Sequence, residues 1–477
     1  MNSLIGLTAR QIVDGLKSGD YAPEELLDTL EQRIGEVDPK INAICVNLMD
    51  RARGRLKGLD ATGRERLRAT PLAGLPVLMK ELNDIEGVVT CMGSPVLKDA
   101  VAPTSDLTVQ TLERNGAVIF GKSNVPEFAG ANTYNDVYGT TRNPWNLRLS
   151  VAGSSGGSAA ALASGTAWLA SGNDLGGSLR TPASFCSVAS LRPSPGRVAR
   201  GPGQLPFDTL WVEGPMARNV GDVGLMFDAQ IGYDPRDPIS LPSEGVSYRA
   251  AAERPLRPER FAFSPDLGVC AVANEVREVC RTAADKAAQD GVAMTQAPPP
   301  LAGVYEVFHT LRAHLIAGLY ETLIREHRDE IKPDIVWNVE KGAAQQVSEV
   351  SAAERERAAL IAGFDGFLER EKFLLTPAAQ VLPFPVEQKF PTEIDGRPLE
   401  TYVDWITITF ALSTVSVPVA VVPCGYSMSG LPVAMQIVAP RRCEQELLGA
   451  AAYFEQLWGC ASNVPLDPNA SSTTSVG

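Results

Sequence analysis

The chain has 477 residues, of which 44% are hydrophobic and 21% are charged, and its formal net charge is −13. This length and composition are typical of one large α/β enzyme or of about three smaller domains, and they exclude a peptide, a wholly disordered chain and a membrane-embedded protein. The acidic balance argues against a nucleic-acid surface, because neutralising phosphates requires basic patches.

The N-terminal segment is predicted to form two amphipathic helices. The first has Thr8 as its N-cap and Gly19 after its last turn, and the second has Pro23 near its start and stops at Asp38-Pro39. The chain does not open with a basic stretch followed by a long apolar run, and no window of about 18 apolar residues occurs. We therefore expect a cytoplasmic protein without a membrane-spanning segment.

Strands and helices alternate in the next part of the chain. Residues 71–80 form an apolar run that predicts a buried strand ending at Lys80, and residues 117–120 predict another strand. Helices and strands alternate again over 159–200. This pattern predicts an α/β fold with a central mixed β-sheet surrounded by helices.

The strand at 117–120 overlaps a phosphate-binding pattern. The sequence GAVIFGKS at 116–123 satisfies G-x-x-x-x-G-K-[ST]. A phosphate-binding loop must follow a strand, whereas the four intervening residues here are themselves apolar and strand-like. We therefore interpret the match as accidental.

Helical patterns dominate from 224 to 372, and strand-like runs return at 373–379, 417–425 and 431–439. We interpret the helix-rich part as an insertion beside the core that helps to shape a substrate pocket. The predicted organisation is an N-terminal helical arm at 1–65, a first part of the core at 66–223, the helix-rich insertion at 224–372, a second part of the core at 373–460 and a disordered tail at 461–477.

Cysteine and histidine are sparse. The eight cysteines are dispersed singly, without a C-x-x-C pair or a metal-ligand spacing, so we expect free thiols and no metal. The only three histidines are His309, His314 and His327, all within the helix-rich segment. A mechanism that depends on an imidazole must therefore draw on that segment.

Two clusters of serine and glycine lie between residues 150 and 186, separated by a helix of small residues. The first contains GSSGG, which matches the G-x-S-x-G nucleophile elbow around Ser155, but the preceding segment is too polar for the central strand that this elbow requires. Dense glycine lets several backbone N–H groups converge on one atom, as an oxyanion hole requires. Because histidine is scarce, a serine nucleophile would need another base, and Lys80 is the candidate since burial lowers the pKa of a lysine.

Several motifs together resemble the amidase signature family. They are the lysine segment at 74–94, GKSNVPEFA with YGTTRNPW at 121–145, the two Ser/Gly clusters at 150–186, VEGPMARNVGDV at 212–223 and GLPVAMQIVA at 430–439. The resemblance implies a single α/β domain and an amidase that uses a Ser-cisSer-Lys triad without a metal or another cofactor. It is dense over the first part of the core and does not extend to the insertion.

The resemblance assigns the triad residue by residue. Ser178 would be the nucleophile, Ser154 the bridging serine with a cis peptide bond, and Lys80 the base. The 24-residue spacing between the two serines matches the first serine of the pair, so Ser155 is the weaker candidate. Lys80 would take the proton of Ser154 while Ser154 takes that of Ser178, whose oxygen attacks the amide carbonyl to give an acyl-enzyme.

The resemblance also implies supporting roles around the nucleophile. Backbone N–H groups at Leu175, Gly176 and Gly177, together with that of the nucleophile, would stabilise the oxyanion. Asp174 and Arg180 would pair to hold the nucleophile loop, the alternative being a plain surface ion pair.

The chain departs from the family pattern at three places. Asn173 stands where a threonine is usual, Glu81 stands where an aspartate commonly follows the lysine, and residues 413–416 replace a glycine-containing turn. No triad residue is lost, but each change bears on the shape of the acyl pocket.

Pocket contacts are expected from two segments. Residues 128–133 and the aromatic-bearing segment 401–410 border the substrate in this family. Within the second segment, Trp405 and Phe410 suit the core as well as they suit ligand contact.

The leading hypothesis is a stand-alone amidase that hydrolyses a carbon–nitrogen bond of a small amide, anilide or carbamate. We expect a small-molecule amide substrate and neither nucleic acid nor a membrane as a partner. The sequence leaves open whether the protein forms a homodimer. The alternative is the glutaminase subunit of a tRNA-dependent amidotransferase, which passes ammonia to a partner protein. A catalytically silent scaffold would require the loss of a triad residue, and all three residues are present.

Overall fold

The computed structural model describes residues 3–201, 203 and 205–469, and its centre is a mixed sheet of 11 strands. Pairs of short strands form separate ribbons outside this sheet. In chain order, the strands are β1 (Ile44–Asn47), β2 (Pro76–Lys80), β3 (Val118–Ser123), β4 (Tyr134–Asn135), β5 (Gly139–Thr140), β6 (Arg142–Asn143), β7 (Asn146–Ser150), β8 (Leu169–Asp174), β9 (Ala189–Arg192), β10 (Val212–Ala217), β11 (Arg260–Phe263), β12 (Ala293–Gln296), β13 (Leu374–Pro377), β14 (Glu393–Ile394), β15 (Arg397–Pro398), β16 (Val419–Tyr426) and β17 (Pro432–Val438).

The order of strands across the central sheet is β1-β3-β2-β8-β10-β9-β16-β17-β13-β11-β12. Strands β3, β2 and β8 are parallel to one another, as are β13, β11 and β12, and the other neighbours are antiparallel. Strands β2, β3, β8 and β10 are buried along their whole length. Strands that are covered on both faces carry nearly continuous apolar runs, which is why β2 and β3 are recognisable in the sequence.

The predicted α/β fold, with a central mixed sheet surrounded by helices, is confirmed. Across the described residues, no helix combines the length and the apolar character that crossing a membrane requires. In chain order, the helices are α1 (Ser3–Gly6), α2 (Ala9–Ser18), α3 (Pro23–Ile41), α4 (Met49–Lys57), α5 (Ala61–Ala69), α6 (Leu107–Arg114), α7 (Gly156–Ser164), α8 (Arg180–Cys186), α9 (Val220–Gln230), α10 (Tyr248–Ala252), α11 (Asn274–Gln289), α12 (Val304–Glu326), α13 (Pro333–Ala343), α14 (Val347–Glu371), α15 (Thr407–Thr414) and α16 (Glu444–Trp458).

The N-terminal helices begin where the sequence predicts them. Thr8 caps α2 through a reciprocal capping box, and Gly19 ends the helix in the left-handed conformation at φ 90°. The predicted stop before Pro39 is wrong, because α3 contains this proline and continues to Ile41. A proline in the last turn removes only one hydrogen bond, and Asn42 then closes the helix in the left-handed conformation.

The helix-rich segment 224–372 is not a separate insertion beside the core. Its strands β11 and β12 extend the central sheet beyond β13, so the segment forms one edge of the sheet. Each of these strands has only four residues, too few to show a period in the sequence among long helical patterns. The helices of the segment include α12, which faces the candidate site described below.

The segment that matches the phosphate-binding pattern is part of a strand. GAVIFGKS runs into β3, and the buried Lys122 lies within that strand. Its ammonium group donates hydrogen bonds to the carbonyl of Val89 at 2.9 Å and to the hydroxyl of Thr90 at 2.8 Å. These contacts confirm the interpretation of the match as accidental.

The C-terminal segment is more ordered than predicted. The N–H of Leu466 donates to the carbonyl of Ala163 at 2.9 Å, and the guanidinium of Arg33 donates to the carbonyl of Leu466 at 3.2 Å and to the carboxylate of Asp467 at 2.7 Å. Disorder is therefore a wrong prediction for 461–469, since these contacts are made with distant parts of the chain. Residues 470–477 of the predicted tail lie outside the described residues.

The two ends of the described chain meet at Gly165. A Cβ atom built on this glycine would lie 2.6 Å from Cγ2 of Ile5 and 3.0 Å from Cβ of Pro465. Nearby, the indole N–H of Trp168 donates to the carbonyl of Leu4 at 3.3 Å. Gly165 also has φ 75°, so it both ends α7 and leaves room for the two ends.

Candidate active site

Strand pairing brings the predicted site residues to one edge of the central sheet. Strand β2 ends at Lys80 and β8 ends at Asp174, and the two strands are parallel neighbours with Leu78 opposite Ala170. Because parallel strands end at the same edge, Lys80 lies beside the loop that leads from β8 to α8. This loop, residues 175–179, carries Ser178 and is called the nucleophile loop below.

Lys80 is fully buried and is held by neighbours on three sides. Its Nζ atom lies 2.7 Å from Oγ of Ser154 and donates to Oδ1 of Asn173 at 2.6 Å. Its backbone N–H donates to Oγ of Ser171 at 2.8 Å. The amine is therefore fixed in position against the first Ser/Gly cluster.

Burial prepares Lys80 to accept a proton. Burial is the largest influence on the ammonium group, and it lowers the pKa of Lys80 to about 7 although the negative charges of Glu213 and Asp174 act in the opposite direction. Glu213 lies on β10 directly opposite Asn173, and burial raises the pKa of its carboxyl. A lysine with this pKa is largely neutral at slightly alkaline pH, as a general base must be.

The two predicted triad serines line one cavity. Ser154 is buried and follows a cis peptide bond from Gly153, whereas Ser178 is half-buried. Both serines are described, and no hydrogen bond joins their hydroxyl groups. The two clusters are nevertheless connected, because the N–H of Ser155 donates to the carbonyl of Ser178 at 3.2 Å.

The backbone N–H groups of the nucleophile loop divide into two sets. The N–H of Gly177 donates to Oδ1 of Asp174 at 2.9 Å, so it is engaged within the loop in this structure, and its role as an oxyanion donor stays a prediction. Those of Leu175, Gly176 and Ser178 donate to no acceptor in the described part of the chain. These three groups are therefore available to a bound oxyanion.

Asp174 is the centre of a buried charge network. Arg180 donates two hydrogen bonds of 3.0 and 2.8 Å to its carboxylate, and Arg192 donates another of 3.0 Å. Burial acts to raise the pKa of Asp174, but the charges of Arg180 and then Arg192 outweigh it and hold the pKa well below its ordinary value. All three side chains are fully buried, which excludes a plain surface ion pair.

Arg180 also ties the nucleophile loop to a second element. Its guanidinium donates to the carbonyl of Thr409 at 2.7 Å and to Oγ of Ser413 at 2.7 Å, both on α15. Ser413 is one of the residues that replace the family's glycine-containing turn, so this departure has a defined partner. Asp174 and Arg180 are thus paired inside the protein, and their role in holding the loop stays a prediction.

The cavity beside the serines has a volume of about 60 Å³ and is mainly apolar. Such a lining is typical of pockets that bind small organic molecules. Its apolar and aromatic lining includes Phe128, Ala129, Ala131, Leu175, Trp211, Phe308, Ile316, Tyr402, Val403, Trp405 and Ile406, and its polar lining is Ser154, Asn173, Ser178 and Arg312.

Both predicted pocket segments contribute to this lining. Phe128, Ala129 and Ala131 belong to the first, and all three have positive φ between 46° and 64°. In the second segment Trp405 lines the cavity. Phe410 does not, because its ring stacks on that of Phe308 with centroids 4.1 Å apart.

Four residues of the site could not be assigned from the sequence. Asn173 accepts a hydrogen bond from Lys80, and its Nδ2 atom has no partner among the described residues, so it can donate to a substrate. Trp211 directly precedes β10, Glu213 lies on β10 and Arg312 lies on α12. Asn173 lies within the second Ser/Gly cluster, and its departure from the usual threonine is the signal that marks it in the sequence.

The alternative chemistries lack support from the geometry. None of the three histidines lines the cavity, and His309 instead lies 3.6 Å from Asp404. Ser155 is the N-cap residue of α7, and the strand before it, β7, pairs with β6 outside the central sheet. All eight cysteines are free, and within the described ranges no cluster of three His, Cys, Asp or Glu side chains could hold a metal ion.

Comparisons with known proteins agree with these observations. The family model described as Amidase matches residues 25–448. The acylamidase of Rhodococcus erythropolis is 30% identical over 465 residues, covering 97% of both chains. The glutamyl-tRNA(Gln) amidotransferase A subunit of Synechococcus sp. (strain RCC307) is 31% identical over 483 residues, covering 95% of this chain and 98% of that protein.

Solved structures show the same likeness over the whole chain. A bacterial aryl acylamidase of the amidase signature enzymes superimposes with a TM-score of 0.87 at 26% identity, covering 96% of this chain and 99% of that one. The 6-aminohexanoate cyclic dimer hydrolase in complex with substrate gives a TM-score of 0.85 at 26% identity, covering 98% of this chain and 100% of that one. Since the family model matches most of the sequence and the fold agrees throughout, the chain belongs to the amidase signature family of hydrolases.

Proposed function

We propose that the protein hydrolyses a carbon–nitrogen bond of a small-molecule amide through an acyl-enzyme on Ser178, with Ser154 as the proton relay and Lys80 as the base. The observation that carries this proposal is the 2.7 Å contact between Nζ of Lys80 and Oγ of Ser154, beside a cavity that Ser178 also lines. Family membership supports the reaction class, and the geometry supports the roles of these residues.

Acylation uses the neutral form of Lys80. Its lone pair accepts the proton of Ser154 while Ser154 accepts that of Ser178, and the Ser178 oxygen attacks the amide carbonyl. The resulting oxyanion accepts hydrogen bonds from the free N–H groups of Leu175, Gly176 and Ser178. Substrate binding must bring the two serine hydroxyls into contact, as hydrogen bonds of this kind often tighten only in the complex.

Collapse of this tetrahedral intermediate completes acylation. The lysine ammonium returns a proton through Ser154 to the leaving nitrogen, the carbon–nitrogen bond breaks, and the amine departs. In deacylation, a water molecule attacks the ester carbonyl while Ser154 and Lys80 take its proton. The bond between the acyl carbon and Oγ of Ser178 then breaks, the proton returns from Lys80 through Ser154 to that oxygen, and the carboxylic acid leaves.

The cavity favours an amide with an apolar or aromatic part. Helix α12 of the helix-rich segment supplies Phe308, Arg312 and Ile316 to the lining. This supports a role of residues 224–372 in shaping the substrate pocket. Aromatic walls suit an anilide or an aryl amide.

The glutaminase subunit of an amidotransferase is the second candidate, because relatives of that kind are 31% identical over most of the chain. Free glutamine carries an α-ammonium group that needs an anionic partner when it is taken out of water. Among the described residues that line the cavity, none carries a carboxylate. This favours the stand-alone amidase.

The test uses the purified chain without a partner, assayed on aliphatic amides, anilides and carbamates. We expect hydrolysis and labelling of Ser178 by a fluorophosphonate. Ser178→Ala should lose at least about a thousandfold in kcat and all labelling, since a triad nucleophile contributes on that scale. Ser155→Ala, one residue after the relay serine, is the matched control and should remain labelled.

Two results would contradict the proposal. Full turnover by a folded Ser178→Ala variant would remove the nucleophile assignment. Glutaminase activity that appears only after a partner protein is added, with no hydrolysis of simple amides, would favour the amidotransferase function.

A further inference from the structure

Arg312 is the only residue with a charged side chain among the described residues that line the cavity. It lies on α12, one turn after Phe308 and one turn before Ile316, and all three line the cavity. The helix therefore turns one face toward the site, and the guanidinium stands in the middle of that face between two apolar side chains.

The guanidinium is held by neutral groups only. It donates to Oδ1 of Asn338 and, at 2.8 Å, to the hydroxyl of Tyr402, and it lies 5.6 Å from the centroid of the Tyr402 ring. Among the described residues, no carboxylate lies within ion-pair distance of it. The other buried arginines of the site, Arg180 and Arg192, share the carboxylate of Asp174.

The acidic group that follows Tyr402 in the chain is already engaged elsewhere. Asp404 accepts hydrogen bonds from the hydroxyl of Tyr305 at 2.9 Å and from the backbone N–H groups of Glu400 and Thr401 at 2.8 and 2.9 Å. His309, on α12, lies 3.6 Å from the same carboxylate. Asp404 thus has its own partners and does not neutralise Arg312.

A half-buried guanidinium without a counter-ion is costly, because its charge is partly removed from water. Its planar set of donors fits the two oxygens of a carboxylate, with which it forms paired hydrogen bonds. Two of these donors are oriented by Asn338 and Tyr402, which leaves the remaining donors for a ligand in the cavity.

We propose that Arg312 binds a carboxylate of the substrate, so that the preferred substrates are small amides that carry a carboxylate apart from the bond that is cleaved. This inference rests on the proposed amidase function and adds a substrate class to it. The substrate carboxylate would be the counter-ion that Arg312 lacks among the described residues. Arg312 is then a specificity-determining residue, whereas Ser178, Ser154 and Lys80 perform the chemistry.

The experiment compares N-succinyl-4-nitroanilide, whose acyl chain ends in a carboxylate, with its methyl ester, whose acyl chain ends in a neutral group. The wild type should show a kcat/KM for the acid about 10- to 100-fold above that for the ester, the range expected for a charge-assisted hydrogen bond. Arg312→Gln should reduce this ratio by the same factor, and Arg312→Lys should retain part of it. Arg325→Gln, which removes the same charge from an exposed position of α12, is the matched control and should keep the wild-type ratio.

A binding measurement tests the inference without turnover. In the Ser178→Ala background, calorimetric titration should give a dissociation constant for the acid about 10- to 100-fold lower than for the ester, and Arg312→Gln should abolish the difference. Equal affinities in the presence of Arg312 would overturn the inference. So would an equal loss for both ligands on Arg312→Gln, which would assign Arg312 to holding Tyr402. Failure of the amidase function itself would appear separately, as the absence of nitroaniline release from both substrates by the wild type.

Discussion

Two opposing influences act on the pKa of the Lys80 amine. Burial destabilises its charged form, whereas the carboxylates of Glu213 and Asp174 stabilise that form. Asp174 is occupied by Arg180 and Arg192, so its charge is largely compensated. Glu213 is therefore the residue through which the basicity of Lys80 can be changed without disturbing the nucleophile loop.

A pH profile of kcat/KM tests this balance. Only neutral Lys80 can accept a proton, so activity should rise with pH through a midpoint at about 7 and fall below it. Glu213→Gln removes a negative charge that raises the pKa of Lys80, so the midpoint should move to lower pH. Steady-state rates on a neutral amide between pH 5 and pH 9, about two units on either side of the midpoint, measure both profiles.

The control for this profile is Glu65→Gln, which removes the same charge at an exposed position on α5. Its midpoint should equal that of the wild type. A Glu213→Gln profile that stays in place or moves to higher pH would contradict the assignment of Glu213 as the group that raises the pKa of Lys80.

Residues of the site differ in how visible they are in the sequence. Lys80, Ser154 and Ser178 lie in continuous motifs, and the resemblance of these motifs to the amidase signature family is the basis on which their roles are predicted. Glu213 reaches the site only through the antiparallel register of β10 against β8, and Arg312 only through the placement of α12. Register and helix placement depend on contacts between distant segments, which a single sequence does not reveal.

At the scale of elements, the nucleophile loop packs tightly against α15. Gly177 has φ 137°, and a Cβ atom built on it would lie 2.2 Å from Oγ1 of Thr409. That hydroxyl is itself fixed, because it donates to the carbonyl of Gly176 at 2.6 Å. The loop therefore has no room to accept a side chain at this position without moving the nucleophile.

Gly177→Ala should reduce kcat/KM on the order of a hundredfold, because a displacement of about 1 Å at a nucleophile has that effect. Strain at an unfavourable φ should also lower the free energy of unfolding by about 1–3 kcal/mol. Steady-state kinetics and urea unfolding measure the two effects.

Gly35→Ala is the matched control for this substitution. Gly35 lies inside α3, and nothing lies within 4 Å of a Cβ atom built on it. Alanine there should leave kcat/KM unchanged and raise helix stability by at most about 1 kcal/mol. A Gly177→Ala variant as active as this control would show that the loop tolerates displacement.

Elements were predictable in proportion to their length and burial. The fully buried β2 and β3 were recognised as strands, and the capped α2 as a helix. The four-residue strands β11 and β12 are not predicted, because they are too short to show a period among long helical patterns. The equally short β13 is predicted because it lies in a longer apolar run at 373–379. Without these two strands, the sequence predicts an insertion where the structure has an edge of the central sheet.

At the scale of the whole molecule, Arg33 links three distant segments. Its buried guanidinium, on α3, donates to the carbonyl of Ser164 at 2.9 and 2.8 Å, to that of Leu466 at 3.2 Å and to the carboxylate of Asp467 at 2.7 Å. The N-terminal arm, the end of α7 and the C-terminal segment are thereby joined by one side chain.

Arg33→Ala should lower the free energy of unfolding by about 1–3 kcal/mol, because it leaves buried carbonyl groups without a donor. Urea unfolding checks this value. Asp467→Asn removes only the exposed partner, whose side chain is 72% exposed, and should cost less than about 1 kcal/mol. Equal losses in the two variants would mean that the ion pair, and not the carbonyl contacts, provides the stability.

The meeting of Ile5 and Pro465 at Gly165 makes the path of the polypeptide nearly circular. The contacts between the segments would therefore not depend on the point at which the chain begins. A linker between the segments around Ile5 and Pro465, with the chain opened at an exposed turn, would preserve every strand pairing of the central sheet. The fold is therefore a candidate for circular permutation, with new ends placed away from the cavity.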